Sequence, residues 1–61
     1  MRPWLKEIRK KKGLTLKEAA VKCGISASYM DKIERGERDV SVRTAKQIAD
    51  ALDFRWSQFF E

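Results

Sequence analysis

A chain of 61 residues with 14 Lys+Arg, 9 Asp+Glu and no His carries a net charge of +5, and this length describes one small domain over residues 1–61 rather than two. A single cysteine makes neither an internal disulfide nor a zinc set, no apolar run reaches the roughly 18 residues of a membrane span, and Met1-Arg2-Pro3-Trp4 leads into Lys and Glu rather than into the apolar stretch of a secretory signal. Without a histidine to act as a base near neutral pH, and with little volume for an enclosed pocket, an enzyme is not expected, whereas the positive balance points to a polyanion such as nucleic acid.

The first helix is predicted over about Pro3 to Lys12. Pro3 suits a first helical position, where its missing N–H is no loss, and Leu5 and Ile8 supply the inward face. Gly13 ends it. Thr15-Leu16-Lys17-Glu18 then reads as a capping box, Thr15 at the cap and Glu18 reaching back. It opens a second helix over about Leu16 to Cys23, whose Leu16, Ala19, Ala20 and Cys23 recur at i, i+3, i+4 and i+7. Gly24 closes that helix, a position where a left-handed residue is needed and Gly meets no Cβ clash. Ser26 caps a third helix over about Ala27 to Arg35, with Met30 and Ile33 inward and Ile25 before the cap as a hydrophobic staple to Met30. Gly36 follows it. Ser41 caps a fourth helix over about Val42 to Leu52, with Ala45, Ile48, Ala49 and Leu52 inward. Asp53 is read as the cap of a fifth, short helix over about Arg55 to Phe60. No segment alternates with period two, so the fold class is all-α: five short helices with tight connections and no linker, repeat or low-complexity segment.

The second and third helices are joined by Cys23-Gly24-Ile25-Ser26. A helix ending in glycine, a short turn with one apolar residue and a Ser-capped helix are the sequence form of a helix-turn-helix. Ala19 and Ala20 let the two helices cross closely, Ile25 plugs the space under the turn, and Met30 and Ile33 anchor the third helix. Its other face is then free to enter a major groove.

The chain resembles the lambda repressor/Cro-type (Xre-like) helix-turn-helix family. The resemblance is carried by Leu5-Lys6-Glu7-Ile8-Arg9, Gly13-Leu14-Thr15, Glu18-Ala19-Ala20, Cys23-Gly24-Ile25-Ser26, Ser28-Tyr29-Met30 and Lys32-Ile33-Glu34-Arg35-Gly36. Ser41, Thr44, Ile48-Ala49 and Ala51-Leu52 complete it, so it runs from about residue 5 to residue 60. It implies a compact five-helix DNA-binding domain. Three positions depart from the pattern: Leu16 stands where the family usually has a phosphate-binding Gln, Asp39-Val40 where it often has Asn-Pro, and Asp53 where a Gly is common.

Ala27, Ser28, Asp31 and Lys32 fall on the outer face of the third helix, and the resemblance implies base contacts at 27, 28 and 32. The chemistry fits: Lys32 can donate to guanine O6 or N7, Ser28 can bond either way, Ala27 can meet a thymine methyl, and Asp31 can accept from cytosine N4 or hold a neighbouring cation. Ser26 caps its helix, and the same N-terminus suits a phosphate. Tyr29, Arg35, Arg38 and Arg43, in or beside the third helix and the loop after it, are further expected phosphate contacts, as are Thr15 and Lys17 at the start of the second helix. The resemblance also implies an ion pair between Arg9 and Glu34 that fixes the recognition helix. Cys23 is read as a structural thiol.

Trp4, Trp56, Phe59 and Phe60 exceed what so small a core hides, and an apolar surplus marks an interface. A homodimer through the last helix is expected, with Trp56, Phe59 and Phe60 as its contacts. The expected function is sequence-specific binding of double-stranded DNA by a transcription regulator, a repressor reading a near-palindromic operator. The alternative is a protein-interaction module of the same fold, an antitoxin or bridging factor, which Leu16 and the carboxylates of Asp31, Glu34, Glu37 and Asp39 favour. No cofactor, metal, small-molecule ligand or membrane is expected, and the expected location is cytoplasmic. The charge is unevenly spread. Residues 1–12 hold six basic and one acidic residue, the other 49 balance at eight and eight, and residues 26–39 hold three basic and four acidic residues.

Overall fold

The computed structural model describes residues 2–61. Four α-helices follow one another, α1 (Pro3–Lys11), α2 (Leu16–Cys23), α3 (Ala27–Glu34) and α4 (Val42–Leu52), and a 3-10 turn over Trp56–Phe60 closes the chain. The predicted ends of α1 and α3 stand one residue further along than the observed ones. The larger difference is at the C-terminus, where the expected fifth helix is a single 3-10 turn. Arg55 before it gives no side-chain cap, and five residues cannot offset the cost of nucleating an α-helix. No strand occurs among the described residues, and no helix is long and apolar enough to cross a membrane.

Local chemistry sets most boundaries. The Thr15 side chain accepts the Glu18 N–H, and the Glu18 carboxylate accepts the Thr15 N–H at 2.8 Å, a complete capping box. That backbone N–H, and secondarily the Thr15 hydroxyl, holds the Glu18 carboxyl below its ordinary range. Ser26 and Ser41 cap α3 and α4 through the N–H groups of Tyr29 and Thr44. Asp53 does not cap the last element as expected. It lies just past α4 in the left-handed region, with φ 59° and ψ 56°. Asp is a good N-cap, but its short polar side chain also makes it one of the few non-glycine residues that tolerate this conformation. Asp53→Gly is therefore expected to stabilise the domain by about 1 kcal/mol, read as a rise in Tm. The Lys12–Asp53 ion pair that it removes spans 3.7 Å at an exposed site and contributes little.

One core joins all the elements. Leu5, Met30, Ile33, Ile48 and Leu52 are fully enclosed, with Ala19, Ala20, Cys23, Val40, Ala45 and Phe59 around them. The small residues let α2 lie close to both α3 and α4. Burial pushes the Cys23 thiol up to about 11, so it stays a neutral core group. The aromatic cluster is larger than the sequence suggested. Trp4 meets Phe54 and Phe59 edge-on, at centroid distances of 5.5 and 5.1 Å, and Phe54 and Phe59 lie 5.6 Å apart. Phe59, expected at a dimer surface, is only 9% exposed. It is consumed within the protomer because it is the residue that docks the 3-10 turn.

Candidate nucleic-acid interface

The turn between α2 and α3 is held from a third element. Gly24 has φ 74°, and the Gln47 amide of α4 donates to the Cys23 carbonyl at 2.6 Å. A Cβ on Gly24 would come within 3.1 Å of that amide. The left-handed backbone favours glycine here, and a Cβ would also displace the Gln47 amide from its hydrogen bond by a few tenths of an ångström. Gln47 gave no sequence signal, because its role exists only once α4 lies across the turn.

The far end of α3 is held as firmly. Arg9 Nε donates to Glu34 Oε2 at 2.7 Å and Nη2 to Oε1 at 3.1 Å, a two-point pair. A further Arg9 nitrogen donates to the Leu14 carbonyl at 3.1 Å. The two side chains are only 8% and 7% exposed as residues, so a planar guanidinium and its carboxylate bind α1, the α1–α2 connection and α3 together. Arg2, a residue that sequence reasoning passed over, completes the clamp. Its backbone N–H donates to the Glu34 carbonyl at 2.8 Å, and its guanidinium to the carbonyls of Ile33 and Arg38 at 2.8 and 3.2 Å. These contacts satisfy carbonyls that a helix end leaves open. The same guanidinium lies 5.6 Å from the centre of the Phe59 ring.

With Met30, Ile33 and Glu34 turned inward, the other face of α3 remains. Ser28 and Lys32 are exposed and stand one helical turn apart. Ala27 is partly buried against the core, so it offers less surface than expected. Asp31 is partly buried and bonds Arg35 across 3.1 Å. Arg35 also meets Glu37 at 3.5 Å. Asp31 and Arg35 are thus engaged with one another, the second of the two roles the sequence leaves open for Asp31, while Arg35 was expected at a phosphate. Ser26 uses its hydroxyl in capping, and neither α3 nor α4 has an acidic residue in its first turn. Both N-termini therefore present backbone N–H groups without a competing carboxylate. Tyr29 is half-buried, with the Arg38 guanidinium 5.7 Å from its ring centre. Arg38, Arg43 and Lys17 are exposed, and Thr15 is exposed with its hydroxyl used in the capping box.

Beyond this face, Trp56 and Phe60 are 38% and 54% exposed. Their rings meet edge-on at 6.1 Å, and Lys46 lies 5.1 Å from the Trp56 ring centre.

The family profile described as "Helix-turn-helix" matches residues 5–59. The chain is 44% identical over 61 residues to the uncharacterised HTH-type transcriptional regulator YqaF of Bacillus subtilis, a match covering 100% of this chain and 80% of that protein. It is 37% identical over 54 residues to the HTH-type transcriptional regulator SlrR of the same organism, covering 87% of this chain and 36% of SlrR. A crystal structure of an HTH_3 family transcriptional regulator from Vibrio cholerae superposes with a TM-score of 0.79 at 39% identity, covering 92% of this chain and 32% of that one.

Proposed function

The chain belongs to the helix-turn-helix family, and from that premise we propose that residues 1–61 act as a sequence-specific DNA-binding transcription regulator, most simply a repressor. One observation carries the reading. α3 is anchored through Met30, Ile33 and Glu34 while Ser28 and Lys32 stand exposed one turn apart on its other face, as a helix inserted in a major groove requires. Lys32 donates to guanine, Ser28 bonds a neighbouring base edge, and Ala27 contributes apolar contact. Asp31 orients Arg35 more than it reads a base. The α3 N-terminus at Ser26, with the side chains of Thr15, Lys17, Tyr29, Arg35, Arg38 and Arg43, grips phosphates on either side. The regulators named among its relatives support the same reading.

Two copies joined through Trp56 and Phe60 would hold their α3 helices about 34 Å apart if they read half-sites one helical turn apart in a near-palindromic operator. Ser28→Ala and Lys32→Ala are expected to relax preference at single base positions by about 1–3 kcal/mol each. Arg38→Ala and Arg43→Ala weaken all sequences about equally. Fluorescence anisotropy on specific and scrambled duplexes separates the two effects. If the α3 substitutions leave sequence preference untouched, the readout is wrong. A chain that binds no duplex in a salt-dependent way would instead support the protein-interaction reading, which the apolar Leu16 and the acidic excess of residues 26–39 favour.

A further inference from the structure

We propose that Lys6 and Lys10 of α1 form a second phosphate grip, running beside the recognition helix, and this proposal rests on the DNA reading above. The starting point is charge. Residues 1–12 carry the whole net charge of +5, while residues 26–39 sum to −1. Three of the six cations of residues 1–12 face carboxylates of other segments, Arg2 with Asp39, Arg9 with Glu34 and Lys12 with Asp53, so the remaining positive charge of α1 rests on Lys6, Lys10 and Lys11.

A groove of about 500 Å³ runs between α1 and α3, and Lys6, Lys10, Leu16, Asp31 and Arg35 line it. Lys6 and Lys10 stand at i and i+4, so both lie on the same face of α1. Both are exposed, and neither has an ion-pair partner among the described residues. The acidic groups of the groove are largely engaged. Glu34 is paired with Arg9 and Asp31 with Arg35, which leaves Glu7 opposing two ammonium groups. Leu16, the first residue of α2, offers no polar group to a phosphate at this edge. The lysines share the groove with it and reach the same stretch of backbone. DNA with α3 in its major groove would thus run one phosphate strand across the mouth of the α1–α3 groove.

The test is the slope of log affinity against log salt for a duplex carrying the selected site. Each phosphate neutralised contributes close to one unit of slope. Lys6→Gln/Lys10→Gln is expected to flatten the slope by about four for two copies on the two half-sites, about two per protomer, while the order of preference among sequences stays unchanged. Lys6→Arg/Lys10→Arg restores the slope. Lys11→Gln/Lys22→Gln, at exposed lysines that do not line the groove, has the same net charge and retains the wild-type slope. A Lys6→Gln/Lys10→Gln slope equal to that of the wild type, or to that of an equally flattened Lys11→Gln/Lys22→Gln control, overturns the grip while leaving the DNA reading standing. A wild-type chain with no duplex binding overturns the DNA reading itself, and the grip with it.

Discussion

Glu34→Ala is expected to destabilise the domain by about 3–5 kcal/mol, because it leaves the Arg9 guanidinium buried without its carboxylate. Stabilities of small domains are about 0.05–0.15 kcal/mol per residue, so this loss removes much or all of the folding free energy of a 61-residue chain. Arg9→Met/Glu34→Leu is expected to lose far less. It removes both charges together, keeps the volume filled, and takes away the desolvation cost that the pair had to offset. Urea unfolding followed by circular dichroism reads both. A double variant as unstable as Glu34→Ala would mean that the pair contributes outright stability rather than orientation. The prediction also bears on function. The pair, with Arg2, holds the C-terminal end of α3, and on the proposed reading a helix free to tilt would not keep Ser28 and Lys32 in register with adjacent bases.

Phe59→Ala is expected to cost about 3–5 kcal/mol, although Phe59 lies only two residues before Glu61. The 3-10 turn has no capping hydrogen bond from the side chain before it, and the Phe59 ring, packed against Trp4, Phe54 and the Arg2 guanidinium, is what docks it. Phe60→Ala changes an exposed ring and is expected to alter protomer stability by less than about 0.5 kcal/mol. In the proposed dimer its effect appears in sedimentation, as a shift from dimer toward monomer. Equal effects of the two substitutions on unfolding would contradict the division of labour between these adjacent aromatics.

The parts of this fold that could be read from the sequence are those set by neighbours in the chain. Thr15 with Glu18, Ser26, Ser41 and Gly24 act within a turn of their own position, and the start signals and the helix periodicity pointed to the same elements. The helix-turn-helix was legible in the Cys23-Gly24-Ile25-Ser26 turn and the helices on either side of it, and the Arg9–Glu34 pair because a family resemblance supplied the long-range partner. The remainder needed three dimensions. Arg2 caps α3 from 32 residues away, Gln47 holds the turn from α4, and Phe54 joins Trp4 and Phe59 only after the chain reverses beyond α4. Asp53 was misread for a chemical reason: the short carboxylate side chain that makes Asp an N-cap also lets it adopt the left-handed conformation of a helix exit. For Asp31 the sequence left two roles open, a base contact or a hold on a neighbouring cation, because i, i+4 pairing competes with an outside ligand and a single sequence does not show which prevails.

The central claim is that the exposed face of α3 reads base sequence. Selection of bound duplexes from a random DNA pool tests it most directly, run on the wild-type chain and on Ser28→Ala/Lys32→Ala in parallel. The expected outcome is a near-palindromic site with half-sites about one helical turn apart, whose preference collapses at a few adjacent positions in the double variant and persists elsewhere. Failure of the wild type to enrich any site, or enrichment of the same site at the same strength by both proteins, would contradict it.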